Sequence, residues 1–304
     1  LAFSVAGGDT ASALAAGCPV LVKAHHSHPG VAEIVGNCVD QAARDTGMPE
    51  GVFSLMFGAG RSVGVAMVES PAVQAVGFTG SRSGGTALMQ AAAARKQPIP
   101  VYAEMSAVNP VVLLPEALNE RGEGIAEGML TSLTMGVGQF CTNPGLIFMP
   151  ESAGAEFKKK FASLVTEADC GVMLNAGIAK AFRESTAAIA QTPGVEQLAA
   201  PDLQAEMFGP ATLIVEGSVE EIEQAIAQLE GQLVGTIHAT EAEIQNYTSL
   251  VETLEGRCGR LVFNAFPTGV DVCHAMVHGG PYPATADGRS TSVGTMAIDR
   301  FCRP

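Results

Sequence analysis

The first hundred residues alternate short apolar runs with glycine-punctuated helical stretches, and this alternation limits the fold more than any other feature. Pro19 to Lys23, Val52 to Phe57, Ala72 to Phe78 and Ile99 to Glu104 are too short for buried helices and read as strands. Asp9 to Ala16, Val31 to Asp45, Ser62 to Glu69 and the alanine-rich Gly84 to Arg95 carry helical spacing. Continuous apolar strands separated by helices predict a parallel sheet covered on both faces. Ligands of such sheets bind beyond the carboxyl ends of the strands, and two of those ends carry Lys23 and Thr79-Gly80-Ser81. The segment Gly77 to Gly85 runs a strand into a glycine-rich helix start, where backbone amides can take a phosphate.

After Glu104 the texture changes. Val111 to Leu114 reads as a strand and Gly122 to Met135 as a long helix. Helices are expected at Phe157 to Glu167, Ala179 to Ala190 and Val219 to Leu229, with a strand at Leu213 to Val215. The last forty or so residues are loop-rich, and long loops carry function more often than they carry structure. A chain of 304 residues is long enough for two domains with sizeable cores.

Two residues have the chemistry of a covalent mechanism. Cys141 lies in Gly136-Val-Gly-Gln-Phe-Cys-Thr-Asn-Pro-Gly145, which presents one thiol on a glycine-flanked loop at a helix end. Glu104 closes an apolar strand. A loop cysteine and a strand-end carboxylate are the parts of a covalent mechanism with a general base.

Composition narrows the partners. A net charge of −14 argues against nucleic acid and anionic membranes, and there is no Trp on which bases could stack. Seven cysteines with no Cys-x-x-Cys pair indicate neither a zinc site nor a disulfide framework. Reduced thiols suggest the cytoplasm. His25, His26 and His28 look superficially metal-like, but a Pro-bounded surface turn is the better reading, and no metal is expected. No apolar run reaches membrane-spanning length without charge or glycine.

Five segments in order, Phe78-Thr-Gly-Ser81, Glu104, Gly138-Gln-Phe-Cys141, Glu206-Met-Phe-Gly-Pro210 and Gly279-Gly280, resemble the aldehyde dehydrogenase superfamily. Phe140-Cys-Thr-Asn-Pro-Gly145, Pro267-Thr-Gly-Val270 and His274 to Thr285 are similar to the 2-oxoglutarate semialdehyde (2,5-dioxovalerate) dehydrogenases, with NADP-dependent fatty aldehyde dehydrogenases as near relatives. The resemblance implies an α/β fold, with a Rossmann-like parallel-sheet nucleotide-binding domain and an α/β catalytic domain. It divides the chain into 1–103 (partial NAD(P)-binding domain), 104–285 (catalytic domain) and 286–304 (a segment returning to the nucleotide domain or an oligomer interface). The family carries an Asn-Phe-Pro segment ahead of the position of Leu1, so the N-terminal part of the fold is expected to be missing. A further shortening is expected near Ala199-Ala200.

By resemblance, Cys141 attacks an aldehyde carbonyl, hydride leaves to NADP or NAD, and Glu104 serves the thiol or the deacylating water. Lys23, His26, Arg61, Gly80, Ser81, Glu206 and Phe208 are the expected cofactor residues. NADP is favoured because His26 stands where NAD-using relatives place an acid. His278, Asn264 and Thr268 are expected to line the substrate tunnel, with Arg289 a candidate cation for a substrate carboxylate. The implied reaction is oxidation of 2-oxoglutarate semialdehyde to 2-oxoglutarate by a homodimer or homotetramer. The alternatives are a long-chain aldehyde substrate and a non-catalytic nucleotide-binding remnant.

Overall fold

The apolar runs that begin at Pro19, Val52 and Ala72 are each followed by a helix that returns the chain to the edge where the strand began, which permits parallel pairing. The computed structural model describes residues 3–169, 171–191, 207–269 and 271–303. It separates into two compact units. One comprises Leu1–Met105, Val272–Gly279 and Ala286–Pro304, the other Ser106–Asp271 and Gly280–Thr285. The first boundary thus falls just past the expected one, while the final loops are divided between the units instead of following a single break after residue 285.

In the first unit, α1 (Gly8–Ala15) precedes β1 (Val20–Lys23), α2 (Pro29–Asp45) and β2 (Phe53–Met56). Then come α3 (Gly60–Glu69), β3 (Val76–Thr79), α4 (Arg82–Ala93) and β4 (Val101–Glu104). Helix α2 starts with Pro29 in its first turn, where the missing amide costs nothing. It approaches β2 closely at Gly36, where a Cβ would stand 2.6 Å from a Leu55 methyl. The sequence predicts one parallel sheet. The described strands instead form two parallel pairs, β1 with β2 and β3 with β4, and no ladder joins the pairs. A short 3-10 helix, Thr295–Phe301, packs on α1 through buried Arg300. That side chain donates to Asp9 Oδ1 at 3.2 Å and to Ser290 Oγ at 3.0 Å, and lies over the Tyr102 ring.

The second unit is a five-stranded parallel sheet. Its strands are β5 (Pro110–Leu113), β6 (Leu146–Pro150), β7 (Leu213–Gly217), β8 (Gln232–His238) and β9 (Cys258–Phe263), in the order β7-β6-β5-β8-β9. Helix α5 (Pro115–Thr134) links β5 to β6, and α6 (Ala155–Glu167) and α7 (Ala176–Ile189) lie between β6 and β7. Helix α8 (Val219–Gln228) precedes β8, and α9 (Glu241–Asn246) and α10 (Thr248–Glu255) precede β9. Successive side chains of a strand point to opposite faces. Val112, Leu146 and Phe148 accordingly pack on Ile222, Ile226 and Leu254, while Val111, Ile147 and Met149 pack on Met129 and Phe157. Because both faces are covered, β5, β6 and β8 are buried along their whole length.

Helix α5 has no side-chain cap from its own N-cap residue. Glu243, buried in α9, supplies one from a distance. Its Oε1 accepts from the Glu116 amide at 2.6 Å, and its Oε2 from the amides of Ala117 at 3.2 Å and Thr240 at 2.9 Å. Among the described residues no helix is long and apolar enough to cross a membrane.

Candidate active site

Cys141 is held by backbone geometry and by amide side chains. Helix α5 ends in a tight turn in which Gly136, Val137 and Gly138 all have positive φ, at 57°, 59° and 65°. That region is costly for a β-branched residue such as Val137, so the surroundings must hold it there. Gly138 sits directly against the backbone of Gly209 and Pro210, where a Cβ has no room. The Asn143 amide adds a hydrogen bond to the Gly209 carbonyl at 3.3 Å. The cysteine loop and the Phe208-Gly-Pro turn are therefore in direct contact. Phe208 itself is half-buried, while Glu206 lies outside the described residues.

Two residues missed in the sequence brace the loop from below. Asn109, fully buried at the amino edge of β5, donates through Nδ2 to the carbonyls of Cys141 (2.9 Å) and Asn143 (3.0 Å). Its Oδ1 accepts from the Val234 amide, and the Gln232 Oε1 accepts the Val108 and Asn109 amides. Cys141 and Val262 both pack against a small buried cluster of Ala107, Leu233, Val234 and Ala284. Arg260 lies on the same face of β9 as Val262, opposite Val234 in the ladder. Burial lowers the pKa of its guanidinium and the charge of Cys141 raises it, so the two groups feel one another. A cation beside a thiol favours the nucleophilic thiolate.

Of the expected substrate residues in this unit, Thr268 is buried and shares a 2.7 Å hydrogen bond with Ser132 near the end of α5, on the cysteine side of the sheet. Asn264 is not there. It follows β9 at the carboxyl edge of the sheet, where its Oδ1 accepts from Arg121 Nη2 and the Ala239 amide. Cys141 precedes β6 and sits at the amino edge, so the length of the sheet separates them.

In the first unit, Glu104 ends β4 and is 4% exposed. Its backbone carbonyl accepts the Gly80 amide at 3.1 Å. Its Oε1 lies 3.0 Å from His278 Nε2, and its Oε2 accepts from Ser292 Oγ at 2.9 Å. The loop that brings these partners is cross-braced, with the His278 amide donating to Thr291 Oγ1 and the Ser292 amide to the His278 carbonyl. Asp9 is close enough to Glu104 to be coupled to it. Burial raises the Asp9 pKa, Arg300 lowers it, and the charge of Glu104 adds a smaller rise. His278, expected in a tunnel wall, is thus a hydrogen-bond partner of the expected base. Arg289 is not directed to a buried site, since its side chain is 92% exposed and paired with Asp287.

The expected cofactor residues of this unit cluster at carboxyl strand ends and helix starts. Lys23 closes β1, and its Nζ donates to the Ala24 carbonyl. His26 follows in a turn, stacked on His25, which also stacks on His28. Burial lowers the His25 pKa, and the charges of His26, His28 and Lys23 lower it further. Arg61 is exposed in the first turn of α3. Gly80 precedes Ser81, which caps α4 by accepting the Gly84 amide at 3.2 Å.

Residues 1–180 match the model of the Aldehyde dehydrogenase family. The chain belongs to the aldehyde dehydrogenase family. It is 51% identical over 331 residues to the alpha-ketoglutaric semialdehyde dehydrogenase 2 of Azospirillum brasilense, covering 100% of this chain and 63% of that protein. It is 43% identical over 332 residues to the alpha-ketoglutaric semialdehyde dehydrogenase of Acinetobacter baylyi, with the same coverage of 100% and 63%. The chain therefore spans under two thirds of the length of these aldehyde dehydrogenases. Both alignments are longer than the chain, so the relatives carry extra residues within the matched span. The shortening expected near Ala199-Ala200 falls outside the described residues. Among solved structures, the betaine aldehyde dehydrogenase of Staphylococcus aureus in complex with NAD+ superposes with a TM-score of 0.79 at 19% identity, over 97% of this chain and 62% of that one. That likeness speaks for the aldehyde dehydrogenase fold alone.

Proposed function

We propose that this chain is the greater part of an NADP-preferring dehydrogenase that oxidises 2-oxoglutarate semialdehyde to 2-oxoglutarate. The observation that carries the reading is the pair of built sites, a thiol on a braced loop beside a guanidinium and a carboxylate held on both oxygens. Cys141 adds to the aldehyde carbon to give a thiohemiacetal. A bound nicotinamide would supply the acceptor for the hydride that leaves that carbon. Water then cleaves the thioester. Glu104 takes one water proton, the hydroxyl adds to the acyl carbon, the Cys141 thiolate departs, and the acid is released.

The residues at the strand ends fit a phosphorylated dinucleotide. Lys23 and the three crowded imidazoles gather positive or proton-accepting groups in a protein of net charge −14, and Arg61 is an exposed cation in the first turn of α3. Burial first, and the charges of His26, His28 and Lys23 second, lower the His25 pKa, and an anion among the imidazoles would offset the second effect. His26 offers no negative charge to repel a 2′-phosphate, which supports NADP over NAD. Arg260 favours a carboxylated aldehyde over a fatty one. It stands opposite Val234, a member of the apolar cluster on which Cys141 packs, and its charge is coupled to that of Cys141.

The test is the full-length gene product assayed with 2-oxoglutarate semialdehyde and with decanal, each with NADP and NAD. The reading expects the highest kcat/KM for the semialdehyde with NADP, and no oxidation by Cys141→Ala with cofactor binding retained. Equal or better use of decanal or of NAD would overturn the corresponding part.

A further inference from the structure

A general base changes charge twice in every turnover, and a buried one needs hydrogen bonds in both states. Glu104 is such a group, and nothing in the reaction so far explains Ser292. The Ser292 hydroxyl lies 2.9 Å from Glu104 Oε2 and 3.1 Å from the His278 carbonyl oxygen, and the residue is 8% exposed. We propose that Ser292 is a positioning residue whose hydroxyl reverses direction to keep Glu104 hydrogen-bonded whether ionised or protonated. The proposal rests on Glu104 being the base of the reading above.

The argument follows from donor and acceptor counting. An ionised carboxylate only accepts, so Ser292 donates to Oε2 while His278 holds Oε1. When Glu104 takes the proton of the attacking water, a protonated Oε2 must donate. The serine oxygen can accept that proton, because its own O–H has a second acceptor in the His278 carbonyl. No heavy atom has to move and no buried polar group is orphaned, which would otherwise cost free energy in one of the two states. Once the acid product has left, Glu104 gives the proton to a water molecule that refills the site, and Ser292 turns back. The loop is built to keep this geometry. The Ser292 amide is tied to the same His278 carbonyl, and Thr291 Oγ1 donates to the Val293 carbonyl while accepting the His278 amide. At Gly8, any Cβ would stand 2.5 Å from the Ser292 carbonyl oxygen, so α1 closes the serine in from the other side.

The experiment is pre-steady-state kinetics on the full-length enzyme with Ser292→Ala, Ser292→Thr, Glu104→Gln and the Ser292→Ala/Glu104→Gln double variant. Ser292→Ala is expected to leave the burst of reduced cofactor intact and slow deacylation about tenfold. Ser292→Thr, which keeps the hydroxyl, should recover at least half of the loss. In the Glu104→Gln background, where no proton is taken, Ser292→Ala should change deacylation less than about twofold. Additive losses, or a Ser292→Thr variant as slow as Ser292→Ala with an unchanged melting temperature, would overturn the role. Should Glu104→Gln itself turn over normally, the base assignment fails, and that result is separate from any defect seen with Ser292→Ala alone.

Discussion

His278 Nε2 stands 3.0 Å from Glu104 Oε1, with the two side chains 9% and 4% exposed. A carboxylate cannot donate, so the imidazole carries a proton on Nε2 whenever Glu104 is ionised. The bond fixes one oxygen and directs the remaining lone pairs of the other. Glu104→Gln is expected to cut steady-state turnover about a hundredfold or more, the usual scale for a general base, with the first-turnover burst preserved. His278→Ala should lose about tenfold through misplacement of the carboxylate, and little further in the Glu104→Gln background. Stopped-flow measurement of reduced cofactor separates the phases. A burst that vanishes with Glu104→Gln would reassign the residue to acylation.

Asn109 is expected to matter more for the shape of the cysteine loop than its position suggests. Asn109→Ala removes the donors that hold the Cys141 and Asn143 carbonyls and the acceptor of the Val234 amide, all in the buried interior. The expected cost is about 2–4 kcal/mol of stability, because three backbone groups lose partners. Urea unfolding would measure it, and Cys141 alkylation by iodoacetamide should change rate in parallel. A loss below 1 kcal/mol with an unaltered alkylation rate would mean that the loop holds itself.

Arg260 offers a way to separate substrate recognition from thiol activation. Iodoacetate and iodoacetamide both alkylate Cys141, but only the first carries a carboxylate. Arg260→Met should slow both through the loss of a nearby cation and should also lower the iodoacetate-to-iodoacetamide rate ratio severalfold. The same variant is expected to lose about a hundredfold in kcat/KM on 2-oxoglutarate semialdehyde and much less on pentanal. An unchanged ratio and equal losses on both aldehydes would leave Arg260 acting on the thiol alone.

Acid should destabilise the second unit through His238. The residue is 2% exposed at the end of β8, and its pKa is lowered to about 4, by burial first and by the charge of Arg121 second. An unfolded histidine titrates near 6.5, so between that value and about 4 the unfolded chain binds a proton that the folded one refuses. Stability is therefore retained above pH 6.5 and falls as the pH drops toward 4. Between pH 7.5 and 4.5 the loss from this group is about 2–3 kcal/mol. The urea midpoint of the wild type should fall relative to that of His238→Leu over that window. Parallel curves would show that His238 is not the group responsible.

How far the sequence anticipates this structure depends on where each element finds its partners. The strands of the first hundred residues are legible because their runs are mainly apolar and all but the last are followed by a helix with its own start. Strand β6 carries an equally plain run, Leu146 to Pro150, which the sequence reading leaves unassigned behind the cysteine loop. β8 and β9 are hidden for a physical reason. Gln232, Thr236 and His238 are polar yet buried, and Gly259 and Arg260 interrupt the last strand. Helix α5 begins at Pro115, ahead of the Gly122 read from its apolar spacing, because its cap comes from Glu243 and not from a neighbouring residue. The chemistry of Cys141 and Glu104 is visible as residue types on a loop and a strand end. Asn109, Ser292 and Arg260 are not, since an asparagine before a proline, a serine in a loop and an arginine in a strand acquire meaning only from what folding sets beside them.

Glu243 has a further effect, on which part of this molecule can receive an anion. Both units are wound from parallel strands and helices, and in each a helix points its amino end past a strand terminus. At α4 the amino end is capped by the neutral hydroxyl of Ser81, which satisfies one amide. At α5 the amides of Glu116 and Ala117 already bind a carboxylate that belongs to the chain. A phosphate approaching α5 would meet a resident negative charge instead of a field that attracts it. The amino end of α5 is thus closed to a phosphate by a side chain of the same unit, while that of α4 carries no resident charge.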